Sequence, residues 1–225
     1  MSGSIQKDRV SVMAIHTTPP HLTQKDFETK LEAFVDSLLA VPAAQKNILK
    51  AEMYFQNQEL NESFQALGWN VPQRGACVIA YELESQDNID QIYEDPEFRK
   101  VYDGGADIGF HARGCCFTAD VVHMHDVSNG TARAERRYAI GVYKFPSHEL
   151  LAEFQQRIAG AAALAATHKH IVKSSAWVPN QNMENYLREF GRPPTEPNAV
   201  ILAEGETWEQ LKRGKSGSFE MLIGA

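Results

Sequence analysis

One internal repeat limits the possible folds of this chain more than any other feature. Lys46-Asn47-Ile48-Leu49-Lys50 lies over Lys169-His170-Ile171-Val172-Lys173, and Tyr54 over Trp177. Asn57-Gln58 lies over Asn180-Gln181, Leu67-Gly68 over Phe190-Gly191, and Ala76-Cys77-Val78-Ile79 over Ala199-Val200-Ile201-Leu202, all at one offset of 123 residues. After a four-residue gap, Ile89-Asp90-Gln91-Ile92 meets Trp208-Glu209-Gln210-Leu211. Agreement of pattern and spacing over several blocks points to a duplicated supersecondary unit.

The unit itself reads from hydrophobic periodicity. Val10 to His16 is rich in β-formers and stops at Thr17-Thr18-Pro19-Pro20, a turn. Thr23 offers an N-cap with Asp26 three residues on, and Phe27, Leu31, Phe34, Val35 and Leu38 share one helical stripe that Pro42 ends. Ile48 to Phe55 is the next strand, and Leu60, Phe64 and Leu67 suggest a turn or two of helix. Cys77 to Glu82 is a third strand, followed by a helix over Asp87 to Tyr93 that runs into Asp95-Pro96-Glu97-Phe98. Gly104-Gly105 then turns into a fourth strand, Cys116 to His125.

The order restarts after a small, polar stretch. The reading is a first repeat over 1–126, a linker over 127–135, and a second repeat over 136–225. In the second, Tyr138 to Tyr143 and Ile171 to Val178 are strands around a helical stripe of Leu151, Phe154, Ile158, Ala161 and Ala165. Phe98 falls over about Phe219 and the sequence stops at Ala225, so the counterpart of the fourth strand is missing. An unpaired sheet edge is the expected result, covered by a second chain or by residues beyond those given.

Composition excludes some function classes. A net charge of −7 and a pI near 5.6 give no basic surface for nucleic acid or an anionic membrane. No apolar run approaches the roughly 18 residues of a membrane span, and Met1 to Arg9 has no apolar core of a secretory signal. The three cysteines, Cys77, Cys115 and Cys116, show no CxxC spacing, which favours a reduced, cytoplasmic setting.

The strand ending in Glu82-Leu83-Glu84-Ser85, the helix over Asp87 to Tyr93 and the Asp95-Pro96-Glu97-Phe98 segment resemble the EthD-like branch of the dimeric α/β-barrel superfamily. The resemblance covers nearly all of the first repeat. It implies an α+β fold of two tandem ferredoxin-like βαββαβ repeats that form a pseudo-symmetric dimeric-type α/β barrel. Superfamily members include cofactor-independent monooxygenases, polyketide cyclases, lactone isomerases and haem proteins, so the fold does not select the chemistry. Plant cyclases of this type carry Tyr-x-x-x-Pro-x-His across the helix where this chain has Ile92 to Phe98, so both functional positions are replaced.

The candidate chemistry is acid–base. No phosphate loop, nucleophile elbow or nucleotide fingerprint is present. His123 and His125 alternate on a strand and could share an ion, but no third ligand is evident; His168 and His170 straddle a helix–strand junction. A haem protein, with His168 as the conceivable axial ligand, is an alternative, but the chain has no Gly-x-x-Asp-Gly signature. The preferred reading uses no cofactor and no metal. If strands one and three run parallel, His16, Tyr81, Glu82, His111 and Arg113 meet at one rim, with Tyr54, His123 and His125 at the other.

On this basis His16, His111 and Tyr81 are the expected catalytic groups, and Glu82, Arg113, Tyr54, His123 and Trp177 the expected substrate contacts. Each also has a plainer reading: His16 as a strand end, Tyr81 as a core aromatic, Glu82 as a solvated carboxylate. The expected function is a cyclase, isomerase or dehydratase acting on a hydrophobic carbonyl compound of secondary metabolism. The alternative is a barrel that binds such a molecule without turnover. A homodimer is the expected assembly, with no nucleic-acid or membrane partner.

Overall fold

The computed structural model describes residues 4–66, 70–110, 114–126, 136–144, 153, 171–180, 188 and 198–213. The expected linker, the Leu151–Ala165 stripe, His168 and His170 lie outside them, as do His111 and Arg113. The chain divides into two compact units. The first comprises Asp8–Ala119 and Asn180–Thr195; the second comprises Met1–Lys7, Asp120–Pro179 and Glu196–Ala225.

In the first unit, β1 (Ser4–Thr17, from Asp8), β2 (Ile48–Phe55), β3 (Ala76–Leu83) and the first half of β4 (Gly114–Asp126) form a sheet in the order β2-β3-β1-β4. β3 pairs antiparallel with β1 from Val10↔Leu83 to Thr17↔Ala76, and with β2 from Ile48↔Leu83 to Phe55↔Cys77. The expected parallel arrangement of strands one and three is therefore overturned. The physical reason lies in the connections: β2 and β3 are hydrogen-bonded antiparallel neighbours, and β3 lies between β2 and β1. The helical crossover between β1 and β2 makes those two strands parallel, so β3, antiparallel to β2, runs against β1 as well.

The helices follow from local chemistry. α1 (Gln24–Leu39) begins where the Thr23 hydroxyl accepts from the Asp26 amide at 3.1 Å, and it buries Phe27, Leu31, Val35 and Leu38. Pro42 does more than stop α1: it opens a further helix, α2 (Pro42–Asn47), since a proline at the first turn loses no hydrogen bond. α3 (Asn61–Gln65) is a single short turn. α4 (Gln86–Glu94) and α5 (Pro96–Asp103) are separate helices because Asp95 caps the second, accepting from the Phe98 amide at 2.8 Å, with Pro96 behind it. A 3-10 helix, Gly104–Ile108, continues to Gly109, whose φ of 72° turns the chain toward β4.

These helices cover one sheet face. Val12 and Ala14 of β1 and Cys77, Ile79 and Leu83 of β3 pack with Leu31, Val35, Ile89, Ile92 and Phe98 in one buried cluster. Burying side chains of this size stabilises the unit by roughly 1.5–3 kcal/mol each, which outweighs any single polar contact described below.

In the second unit the order is β4-β6-β7-β5, with β5 (Arg137–Lys144), β6 (Lys173–Asn180, to Pro179) and β7 (Asn198–Gly205). β7 lies between its antiparallel partners, and Val200, Ile201, Leu202 and Ala203 are all buried, as expected of a central strand covered on both faces. α6 (Trp208–Arg213) follows it. The order β6-β7-β5 reproduces β2-β3-β1. The registers also correspond: Lys173 pairs with Glu204 and Lys50 with Glu82, one residue from the 123-residue offset, and the slip coincides with an irregularity between Ile48 and Lys50. At its edge Arg136 Nη1 donates to Glu204 Oε2 at 2.7 Å, and the Arg137 guanidinium lies 5.7 Å from the Trp208 ring centre.

Candidate active site

Alternation along β1 and β3 places a defined set of side chains on the helix-covered face of the first unit. His16 ends β1 on this face, beside Cys77 in the register. It is 4% exposed and its ring stacks on Phe110 with centroids 4.3 Å apart. Gly114 is required on its other side. A Cβ built there would stand 2.6 Å from both Cε1 and Nδ1 of His16, closer than side chains approach.

Aromatic contacts lead from His16 deeper under the helices. Phe110 meets Phe34 at 4.8 Å and Tyr102 at 5.6 Å, and Tyr102 meets Tyr93 and Phe98, each at 6.1 Å. The Tyr93 hydroxyl donates to the Cys116 thiol. Tyr81 from β3 packs against the same core.

Burial raises the pKa of every group in this set, keeping phenols and thiols that are neutral at pH 7 neutral well into the alkaline range. Loss of water pushes the Tyr81 phenol well above its ordinary range, reinforced by Cys116, Cys77 and Tyr102. Tyr93 is raised in the same way, first by burial. The Cys116 thiol is pushed up to about 12 by burial despite the hydrogen bond from Tyr93. Cys77 reaches about 12 by burial, which a backbone hydrogen bond with Tyr54 opposes. At neutral pH these four groups are uncharged, so the phenols can donate a hydrogen bond but cannot act as bases.

The expected site residues are not all gathered here. His16 and Tyr81 share the face, but the antiparallel register sets Tyr81 opposite Val12, four residues along the strand from His16, about 13 Å away. Tyr81 and Glu82 therefore stand toward the other end of the sheet from His16. Tyr54, expected at the opposite rim, pairs with Val78 and lies at the His16 end, on the face away from the helices. Glu82 is ion-paired with Arg9. His123 and Trp177 belong to the second unit, where His123 Nδ1 lies 3.2 Å from Ser175 Oγ and Trp177 pairs with Val200. The side chain of His125 is outside those described. Among the described residues, no group of three His, Cys, Asp or Glu side chains could hold a metal ion.

Sequence reasoning did not single out Tyr93, Tyr102, Phe110 and Cys116, which the structure packs in the core that includes His16's neighbours. The signal available was weak: Phe98 and Tyr102 lie four apart and Tyr93 lies on the preceding helix, a spacing equally typical of plain core.

No protein-family model and no curated protein matches the chain. Its fold does match solved structures over nearly its whole length. A protein described as anthrone oxidase-like superposes with a TM-score of 0.62 at 8% identity, covering 96% of this chain and 80% of the other. A candidate monooxygenase from Fusobacterium nucleatum subsp. nucleatum gives 0.50 at 9% identity, covering 93% and 81%. One from Lactobacillus acidophilus gives 0.50 at 6% identity, covering 96% and 86%. The likeness is one of fold.

Proposed function

We propose that this chain is a cofactor-independent enzyme that moves a proton on a hydrophobic, carbonyl-bearing small molecule, using the helix-covered face of its first unit. We also read the two units as tandem ferredoxin-like copies of the EthD-like type. The common offset, the repeated strand order and the near-equal registers support that reading.

One observation carries the functional reading. The helix-covered face of one sheet carries a buried imidazole, and the same apolar and aromatic core holds buried phenols that stay protonated at neutral pH. In such surroundings a neutral phenol donates to a substrate oxygen and stabilises the enolate that forms when an adjacent carbon loses its proton. His16 is the group assigned to take that proton. Tyr102, linked to it through Phe110, is the nearer phenolic donor, and Tyr81 the more distant one.

Anthrone is a suitable probe, being an apolar tricycle whose central ring carries a carbonyl and, across from it, a methylene made acidic by conjugation, so that loss of its proton gives an enolate. Under argon in deuterium oxide, the protein should exchange the methylene protons faster than buffer alone. His16→Ala should slow this by about 10²–10⁴-fold, the usual contribution of an acid–base group. In air, conversion to anthraquinone and water with consumption of one dioxygen would extend the reading to oxidation. Binding without exchange would replace the enzyme by a carrier. Undiminished exchange in His16→Ala would remove this site from consideration.

A further inference from the structure

The segment that follows His16 is tied down in an unusual way. The exposed Arg74 guanidinium, from the turn before β3, uses one nitrogen, Nη2, to donate toward three carbonyls: Pro19 at 3.2 Å, Pro20 at 2.7 Å and Leu22 at 3.1 Å. Around it, the Thr18 amide donates to the Gly75 carbonyl at 3.1 Å and the Leu22 amide to the Pro19 carbonyl at 3.2 Å. His21 Nε2 lies 3.2 Å from the carbonyl of Asp107, so the far end reaches the 3-10 helix. Pro19 abuts Gly109, where a Cβ would stand 3.0 Å from its ring, and Gly109 precedes the Phe110 that stacks on His16.

We infer that Thr18–Leu22 is a strap over the His16 end of the site and that Arg74 is its latch. Pro19 and Pro20 stiffen the strap, so it moves as one piece. Its hold is mixed: Arg74 is exposed and its hydrogen bonds are charge-assisted, whereas Thr18 and Pro19 are buried and Leu22 packs against the core. Breaking the latch should loosen Pro19 from Gly109, which precedes the ring stacked on His16, while the β-strands beneath keep their pairing. Arg74 is thus a positioning residue that controls access. The functional consequence rests on the role proposed for His16, but the opening itself is read without any substrate.

Hydrogen exchange and diethyl pyrocarbonate labelling, resolved by mass spectrometry, test the latch on the full chain. In Arg74→Ala the Thr18 and Leu22 amides should exchange about tenfold faster or more, a change suited to losing hydrogen bonds from a charged donor. His16 should be labelled faster by a similar factor while core amides such as Ile79 keep their protection. Arg74→Lys, which keeps the charge on a shorter stem, should fall between wild type and Arg74→Ala. Faster strap exchange with unchanged His16 labelling would refute the gate. An equal rise in Ile79 exchange would show that Arg74 supports the fold instead of a latch, and no change anywhere would refute both.

Discussion

Gly114→Ala tests the architecture around His16 most directly. The added methyl would stand 2.6 Å from Cε1 and Nδ1 of His16 and 3.2 Å from the Phe110 carbonyl oxygen. The backbone oxygen cannot give, so the imidazole must. It is 4% exposed and stacked on Phe110, which itself contacts Phe34 and Tyr102, so no empty direction is offered. Overpacking costs about 1–3 kcal/mol, and loss of the ring stack adds about 0.5–1.5 kcal/mol. A net loss near 2–3 kcal/mol corresponds to a fall in Tm of about 4–12 °C for a chain of this size. The assay is urea and thermal unfolding of wild type, Gly114→Ala, His16→Ala and the double variant. Because the severe clash is with the ring and only the 3.2 Å approach to the Phe110 carbonyl remains once His16 is alanine, the methyl should then cost about 1 kcal/mol or less, giving a coupling of about 1–2 kcal/mol. Gly104→Ala is the control: nothing lies within 4 Å of its Cβ and its φ is −64°, so it should stabilise by about 0.4–1 kcal/mol. The same penalty at Gly114 in both backgrounds, or none in wild type, would refute the placement of His16.

Two further outcomes follow from buried groups. The thiols of Cys77 and Cys116 titrate near 9.0 when unfolded and about 12 when folded, so the unfolded chain releases their protons first. Their contribution is complete below pH 9 and is lost as pH rises through about 12, so urea midpoints should fall over that window, and less steeply in Cys77→Ala/Cys116→Ala. Asn47 is 3% exposed; its amide donates to the Ala43 carbonyl at 2.9 Å and accepts from Asn88 at 2.7 Å. Asn47→Ala should therefore lower unfolding free energy by about 1–3 kcal/mol in the same assay, and an unchanged midpoint would show that this link between α2 and α4 is idle.

Much of the fold was legible because its determinants are local. The stripe from Phe27 to Leu38 and the Thr23 cap identify α1, and alternating or continuous apolar runs locate β2, β3, β5 and β6 within a few residues. Where local signals serve two purposes the reading went astray. Pro42 marks a helix end in sequence but starts α2, and Asp95-Pro96 looked like the tail of one helix while it caps another.

The candidate site was legible only in part. His16 and Tyr81 could be named from residue type and strand position, and alternation puts both on one face. Their distance could not be read, because it depends on strand direction, which hydrogen bonds between β1 and β3 decide across some sixty intervening residues. The same pairing moved Tyr54 to the His16 end and Glu82 toward the other. Sequence by itself determined α1 with its Thr23 cap and the place of most strands, since these rest on periodicity within a few turns of chain. Tertiary structure alone decided which phenols are buried, which glycine makes room for an imidazole, and which arginine reaches three carbonyls, since each depends on groups remote in the chain meeting at atomic distance.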